Sequence, residues 1–164
     1  MIQTKLNKME RFLIYFGAGW DIHIFFEEKL KSYENYLMID ALPNNKHFRK
    51  GTLGYEFCYN KEILFTTLNQ SFEQHDIYSD CDIERYPWSW NAGKYKYYYN
   101  TSCEDFKFNG KCDIVMKGFQ PSNYKDFNAS NIYLDQNNSV FTRELYKDKR
   151  SKLIDITDYD LEEN

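Results

Sequence analysis

Apolar positions fall in different rhythms along this chain, and each rhythm predicts an element. Residues 12–16, FLIYF, form an unbroken apolar run followed at once by Gly17. The run is too short for a helix, and continuous apolarity predicts a strand buried on both faces. Residues 36–39, YLMI, repeat the pattern, stop at Asp40 and are punctuated by Pro43. Between them, over residues 21–32, Ile22, Phe25, Phe26 and Leu30 fall at helical spacing, with Glu27, Glu28, Lys29 and Lys31 opposite. That predicts an amphipathic helix. Strand, glycine turn, helix and strand make a βαβ unit, whose crossover is right-handed and whose strands are parallel.

Later segments have weaker rhythms. Residues 52–59 alternate strictly, with Leu53, Tyr55, Phe57 and Tyr59 on one side, which predicts a half-exposed strand. Asn60 is placed to cap a helix reaching about His75, with Leu64, Leu68 and Phe72 spaced by four. Residues 76–93, with Pro87 and Gly93, read as a long irregular loop. Strands are predicted at 94–101, 113–117 and 152–157, and a hairpin of 131–135 with 139–145 around Asn137-Asn138. Residues 1–11 form a polar leader and 158–164 an acidic tail. The whole, 1–164, reads as a single domain.

Composition narrows the picture. The chain has 164 residues, enough to bury a core without disulfide staples. Aromatic residues are 19% of it, with 15 Tyr and 13 Phe, so many phenols require polar partners. The formal charge of −4 argues against a global field for duplex nucleic acid. Cys58, Cys81, Cys103 and Cys112 form no CxxC and have no histidine at zinc spacing, and His23, His47 and His75 are isolated. Reduced, buried thiols and no metal are expected. Nothing resembles a signal core or an apolar membrane span, so a cytoplasmic protein is the expectation. The scarcity of Ala, found only at 18, 41, 92 and 129, suits the codon usage of an AT-rich genome.

The glycine turn carries the candidate chemistry. A strand ending in Gly17-Ala18-Gly19 lets backbone approach a ligand without Cβ interference, and the next helix offers free N–H groups. Asp40 stands 21 residues after Gly19, close to the ~20 that separates such a turn from the acidic residue accepting ribose hydroxyls. The same residues also suit a purely structural turn between two core strands.

Residues 12–43 resemble the first two motifs of class I S-adenosylmethionine-dependent methyltransferases, in the Gly-Ala-Gly-x-Asp variant seen in leucine carboxyl methyltransferase relatives. The matching residues are Gly17, Ala18, Gly19, Trp20 and Asp21, then Asp40, Leu42 and Pro43. Asp21 replaces the third glycine of the commoner form. The chain is also similar to short methyltransferase-like proteins of large DNA viruses. The resemblance implies an α/β fold, a reduced Rossmann-like three-layer sandwich with a mixed, mostly parallel sheet. It implies S-adenosylmethionine as cofactor, with Gly17, Ala18, Gly19, Asp21, Asp40 and Leu42 around it. The segment from Asp113 through Lys117 to Pro121 falls where the fourth strand and catalytic loop would lie, but lacks the Asn-Pro-Pro-Tyr signature of amino-methyltransferases. No catalytic residue is assigned. By the same analogy Lys117 is a candidate for hydroxyl deprotonation, and Glu104 or Asp105 for the adenine amino group; the acidic pair equally suits a helix N-terminus.

Two aromatic segments stay open. Lys94-Tyr95-Lys96-Tyr97-Tyr98-Tyr99 interleaves base and ring, as contact with single-stranded RNA requires, yet alternate tyrosines on one strand face equally suit a core. Pro87-Trp88-Ser89-Trp90 reads as a protein-binding patch or as a loop pinned by buried indoles. Two function classes therefore stand: a nucleoside-cofactor enzyme, or a catalytically inactive scaffold whose aromatic-rich loops bind a protein partner or a second copy.

Overall fold

A computed structural model describes residues 10–17, 24–25, 27–40, 75–77, 90–92, 94–99, 102–117, 120–137 and 141–155. Its strands are β1 (Phe12–Phe16), β2 (Asn35–Asp40), β3 (His75–Ile77), β4 (Trp90–Ala92), β5 (Tyr95–Tyr99), β6 (Lys111–Met116), β7 (Asn128–Asp135) and β8 (Ser151–Ile154). Among the described residues an α-helix, α1 (Arg143–Lys147), lies between β7 and β8. The strands form one eight-stranded sheet in the order β3-β4-β5-β2-β1-β6-β7-β8. The run β5-β2-β1-β6-β7-β8 is parallel throughout, and the short β3 and β4 extend it antiparallel beyond β5. The fold is thus α/β with a mixed, mostly parallel sheet and few helices among the described residues.

The apolar runs explain why β1 and β2 take the centre. Leu13 to Phe16 and Tyr36 to Ile39 are all buried, because both sheet faces are covered at these strands. On one face Ile14, Phe16, Leu37, Ile39, Ile114, Met116, Ile132 and Leu134 meet Cys103, Tyr124, Phe127, Phe141 and Leu145 from the three later connections. On the other face Phe25 packs edge-on to Tyr15 at 6.0 Å and against Tyr36 at 4.5 Å, and Tyr36 stacks on Tyr95 at 5.0 Å. The first connection therefore covers one face and the later ones the opposite face. Between β1 and β6 the chain order along the parallel strands reverses.

Three sequence expectations need correction. The helix predicted over 21–32 is absent from its described part. Residues 24–25 form a 3-10 turn, and 27–32 are further turns closed by i to i+3 bonds, Glu27 N to Ile24 O at 3.1 Å and Leu30 N to Glu27 O at 2.9 Å. The reason is geometric: at ~100° per residue, Phe25 and Leu30 would point about 140° apart on one α-helix. Both are buried, at 1% and 0% exposure, so the chain must turn more tightly to bring both to the sheet.

The hairpin of 131–135 with 139–145 is a parallel crossover instead. Asn137 N donates to Asp135 Oδ1 at 3.0 Å, a local bond that ends β7 without reversing it. Thr142 then caps α1, its Oγ1 accepting from Leu145 N at 3.2 Å, and β8 returns parallel to β7. The loop read over 76–93 contains the end of β3 and all of β4, and His75 opens β3 rather than closing a helix. Pairing rather than periodicity defines strands this short. The strand at 52–59 and the rest of the 60–75 helix lie outside the described residues.

Candidate functional site

Of the six residues assigned to a cofactor, the structure describes Gly17 and Asp40. Ala18, Gly19, Asp21 and Leu42 lie outside the described residues. Gly17 follows β1 directly and has φ 69°, a left-handed conformation that a Cβ makes costly. Its N–H donates to Ile39 O at 2.9 Å, so the ladder between β1 and β2 continues one residue past the strand. That bond also commits the first amide of the turn to the protein itself. Asp40 is the last residue of β2 and is half-buried. Because Phe16 pairs with Ile39 in register, Gly17 and Asp40 stand side by side at the carboxyl ends of neighbouring parallel strands. The parallel alignment predicted from the βαβ pattern is observed.

The segment after β5, which holds the acidic candidates Glu104 and Asp105, also brings in Cys103, expected only as a buried thiol and not as a neighbour of the turn. Cys103 is buried at 3% exposure in the same core cluster as Phe16 and Ile39. Burial pushes its thiol up from 9.0 to about 12; the nearby Asp40 and Glu104 carboxylates add to that, and the Gly17 amide opposes it. A thiol held protonated in this way is no nucleophile at neutral pH. Glu104 is exposed; its Oε2 accepts from Ser102 Oγ at 3.1 Å and its Oε1 from Ser122 N at 3.4 Å. Asn123 Nδ2 donates to Cys103 O and Glu104 O, both at 3.3 Å. Ser-Asn after Pro121 reads in sequence only as a turn, and nothing there marks partners some twenty residues earlier.

Other candidates separate from this end of the sheet. Asp113 sits opposite Leu13 in the amino-terminal half of β6, three residues before Met116, or roughly 10 Å from the strand's carboxyl end. It is buried at 6% exposure. Its Oδ1 accepts from Asn131 N at 2.9 Å and Nδ2 at 3.2 Å, and its Oδ2 accepts from Tyr33 Oη. This is a structural anchor between the first connection, β6 and β7. Tyr95, the first ring of the proposed RNA stripe, is 5% exposed and stacked on Tyr36, with Lys94 Nζ 5.6 Å from its ring centre. It belongs to the core. The side chains of Tyr97, Tyr98, Tyr99 and Trp90 are not described, and Trp88 lies outside the described residues. Lys117 does not separate from that end, since it directly follows β6 and Met116 pairs with Phe16. Cys112 is a buried free thiol, also raised from 9.0 to about 12 by burial first and then by Asp113.

Among the described residues no three His, Cys, Asp or Glu side chains group as metal ligands, and no helix is long and apolar enough to cross a membrane. No protein-family model matches the chain, and no curated protein or solved structure gives a significant match.

Proposed function

We propose that this chain is a reduced S-adenosylmethionine-dependent methyltransferase-like protein of Rossmann-like, three-layer form, holding a nucleoside cofactor beyond the carboxyl ends of β1 and β2. One observation carries the reading: Gly17 in a left-handed conformation and Asp40 adjoin each other at strand ends beside the reversal of strand order. Open parallel sheets bind ligands at that reversal, because successive connections depart to opposite faces and leave a crevice. The order of the six parallel strands, third-second-first-fourth-fifth-sixth along the chain, is the doubly wound one used for such ligands. Connections on both sheet faces support the layered reading.

The residues present fit a nucleoside. Asp40 is a half-buried carboxylate able to accept from two ribose hydroxyls, and Gly17 presents no side chain toward the turn. S-adenosylmethionine, when bound, supplies an electrophilic methyl group; the chain's own contribution is to orient donor and acceptor and to exclude water. Titration calorimetry with S-adenosylmethionine and its demethylated product, S-adenosylhomocysteine, tests the reading. Saturable one-to-one binding supports it. No heat at millimolar ligand overturns it.

A second reading, an inactive scaffold for a protein partner or a second copy, is favoured by the shortness of the helices in the described connections. The described ones hold a three-residue 3-10 segment at Tyr124–Asp126 and the five-residue α1, and Leu153 on β8 stays 51% exposed. Concentration-dependent sedimentation together with silent calorimetry supports this alternative.

A further inference from the structure

Asn123 breaks a local rule at the same end of the sheet. It occupies the N-cap position of the 3-10 segment Tyr124–Asp126, where an asparagine side chain normally accepts a bond from a backbone N–H of the first turn. It makes no cap bond. Its amide reaches across to the segment after β5 and donates to Cys103 O and Glu104 O. The two carbonyl acceptors fix which side of the amide faces them. In consequence the buried Asn123 Oδ1 meets no hydrogen-bond partner among the described residues. A side chain that forgoes its cap and buries an unsatisfied oxygen costs stability, and such departures concentrate where function requires them.

The bonds that Asn123 makes are the middle of a strap. Ser122 N adds a bond to Glu104 Oε1 at 3.4 Å, and Gln120 Oε1 accepts from Thr142 N at 3.2 Å. Three successive segments, following β5, β6 and β7, are thereby joined on one side of the strand ends. The part held most directly is Cys103, which packs with Phe16 and Ile39 under Gly17 and Asp40.

We infer that Asn123 is the positioning residue of the proposed nucleoside site, clasping the Cys103–Glu104 backbone as the wall of the crevice beside Gly17 and Asp40. The inference rests on the nucleoside reading above, and its test separates the two. Asn123→Asp keeps the size of the side chain and removes both donors. Asn123→Ala removes them without adding charge and serves if the first variant fails to fold. Two quantities are measured on the full chain beside the melting temperature. One is the rate at which N-ethylmaleimide alkylates Cys103, followed by peptide mass spectrometry without ligand. The other is the affinity for S-adenosylhomocysteine. Release of the clasp raises Cys103 alkylation and weakens binding, each by about tenfold, the equivalent of one or two lost hydrogen bonds. In the wild type, bound ligand slows Cys103 alkylation. Unchanged alkylation in a folded Asn123 variant, or binding equal to wild type, overturns the clasp. A wild-type chain that binds neither ligand overturns the nucleoside reading instead.

Discussion

Removing one oxygen atom tests how the first connection is held to the sheet. Tyr33→Phe keeps the ring, which stays edge-on to Tyr36 at 5.9 Å and beneath the Arg11 guanidinium at 4.3 Å. It deletes only the hydroxyl that donates to Asp113 Oδ2. Tyr33 is 2% exposed and Asp113 6%, so water cannot replace the lost donor without opening the core. A buried hydrogen bond to a charged group contributes about 1.5–3 kcal/mol, and leaving its acceptor short of a partner costs the same order. For a chain of this length that lowers the melting temperature by roughly 3–12 °C. Asp113→Ala removes the acceptor shared by the Asn131 amides and by the Tyr33 hydroxyl, to which Tyr133 remains as a hydrogen-bond partner, and costs about 3–5 kcal/mol. The double variant loses less than the sum of the two, by about 2 kcal/mol, because the shared bond is lost only once. Urea unfolding followed by circular dichroism gives all three values. A Tyr33→Phe protein within about 0.5 kcal/mol of wild type, with strictly additive effects, refutes the anchor.

Two further predictions concern the turn and the buried titrating groups. Gly17→Ala forces a Cβ into a φ of 69° and destabilises the fold by about 1–2 kcal/mol, measured by the same urea titration; no effect would mean that the turn is not left-handed. Burial raises Cys103 and Cys112 from 9.0 to about 12 and Tyr95 from 10.0 to about 12, and it raises Tyr33 and Tyr36 as well. The unfolded chain loses these protons first, so their contribution is fully present below pH 9.0 and is lost as the pH rises through 10.0 towards 12. Melting temperatures therefore fall progressively above about pH 9, and tyrosinate absorbance from these rings appears only with unfolding. Full tyrosinate absorbance in a still-folded protein near pH 10 would contradict the burial.

The sequence is most legible where both faces of a strand are covered. FLIYF and YLMI read as strands because no polar residue interrupts them, and β1 and β2 fall on those runs within a residue. Their parallel pairing followed from the βαβ pattern, and it holds although the described part of the crossover is turns rather than an α-helix. The connections were legible only as apolar content. Phe25 and Leu30 are buried as expected, but an α-helical spacing could not satisfy both together, and pattern alone does not reveal that conflict. The Asn137-Asn138 pair misled because Asp135, just before it, ends the strand in an Asx turn, its side chain accepting from Asn137 N, where a hairpin was read. At the candidate site, the adjacency of Gly17 and Asp40 at neighbouring strand ends was legible because their spacing reflects a local βαβ geometry. Cys103, Asn123 and the anchor from Tyr33 to Asp113 were not, since each depends on partners about twenty to eighty residues away.

The central claim is that Asp40 faces a nucleoside ribose at the end of β2. The most direct test is the affinity of wild type and Asp40→Ala for S-adenosylhomocysteine, with both proteins matched for folding by circular dichroism. Each hydroxyl bond to a carboxylate is worth about 1.5–3 kcal/mol, so binding by the wild type and a loss of at least about tenfold in the variant is the predicted result. Equal affinity in the two proteins would contradict the account, as would wild-type protein that does not bind at all.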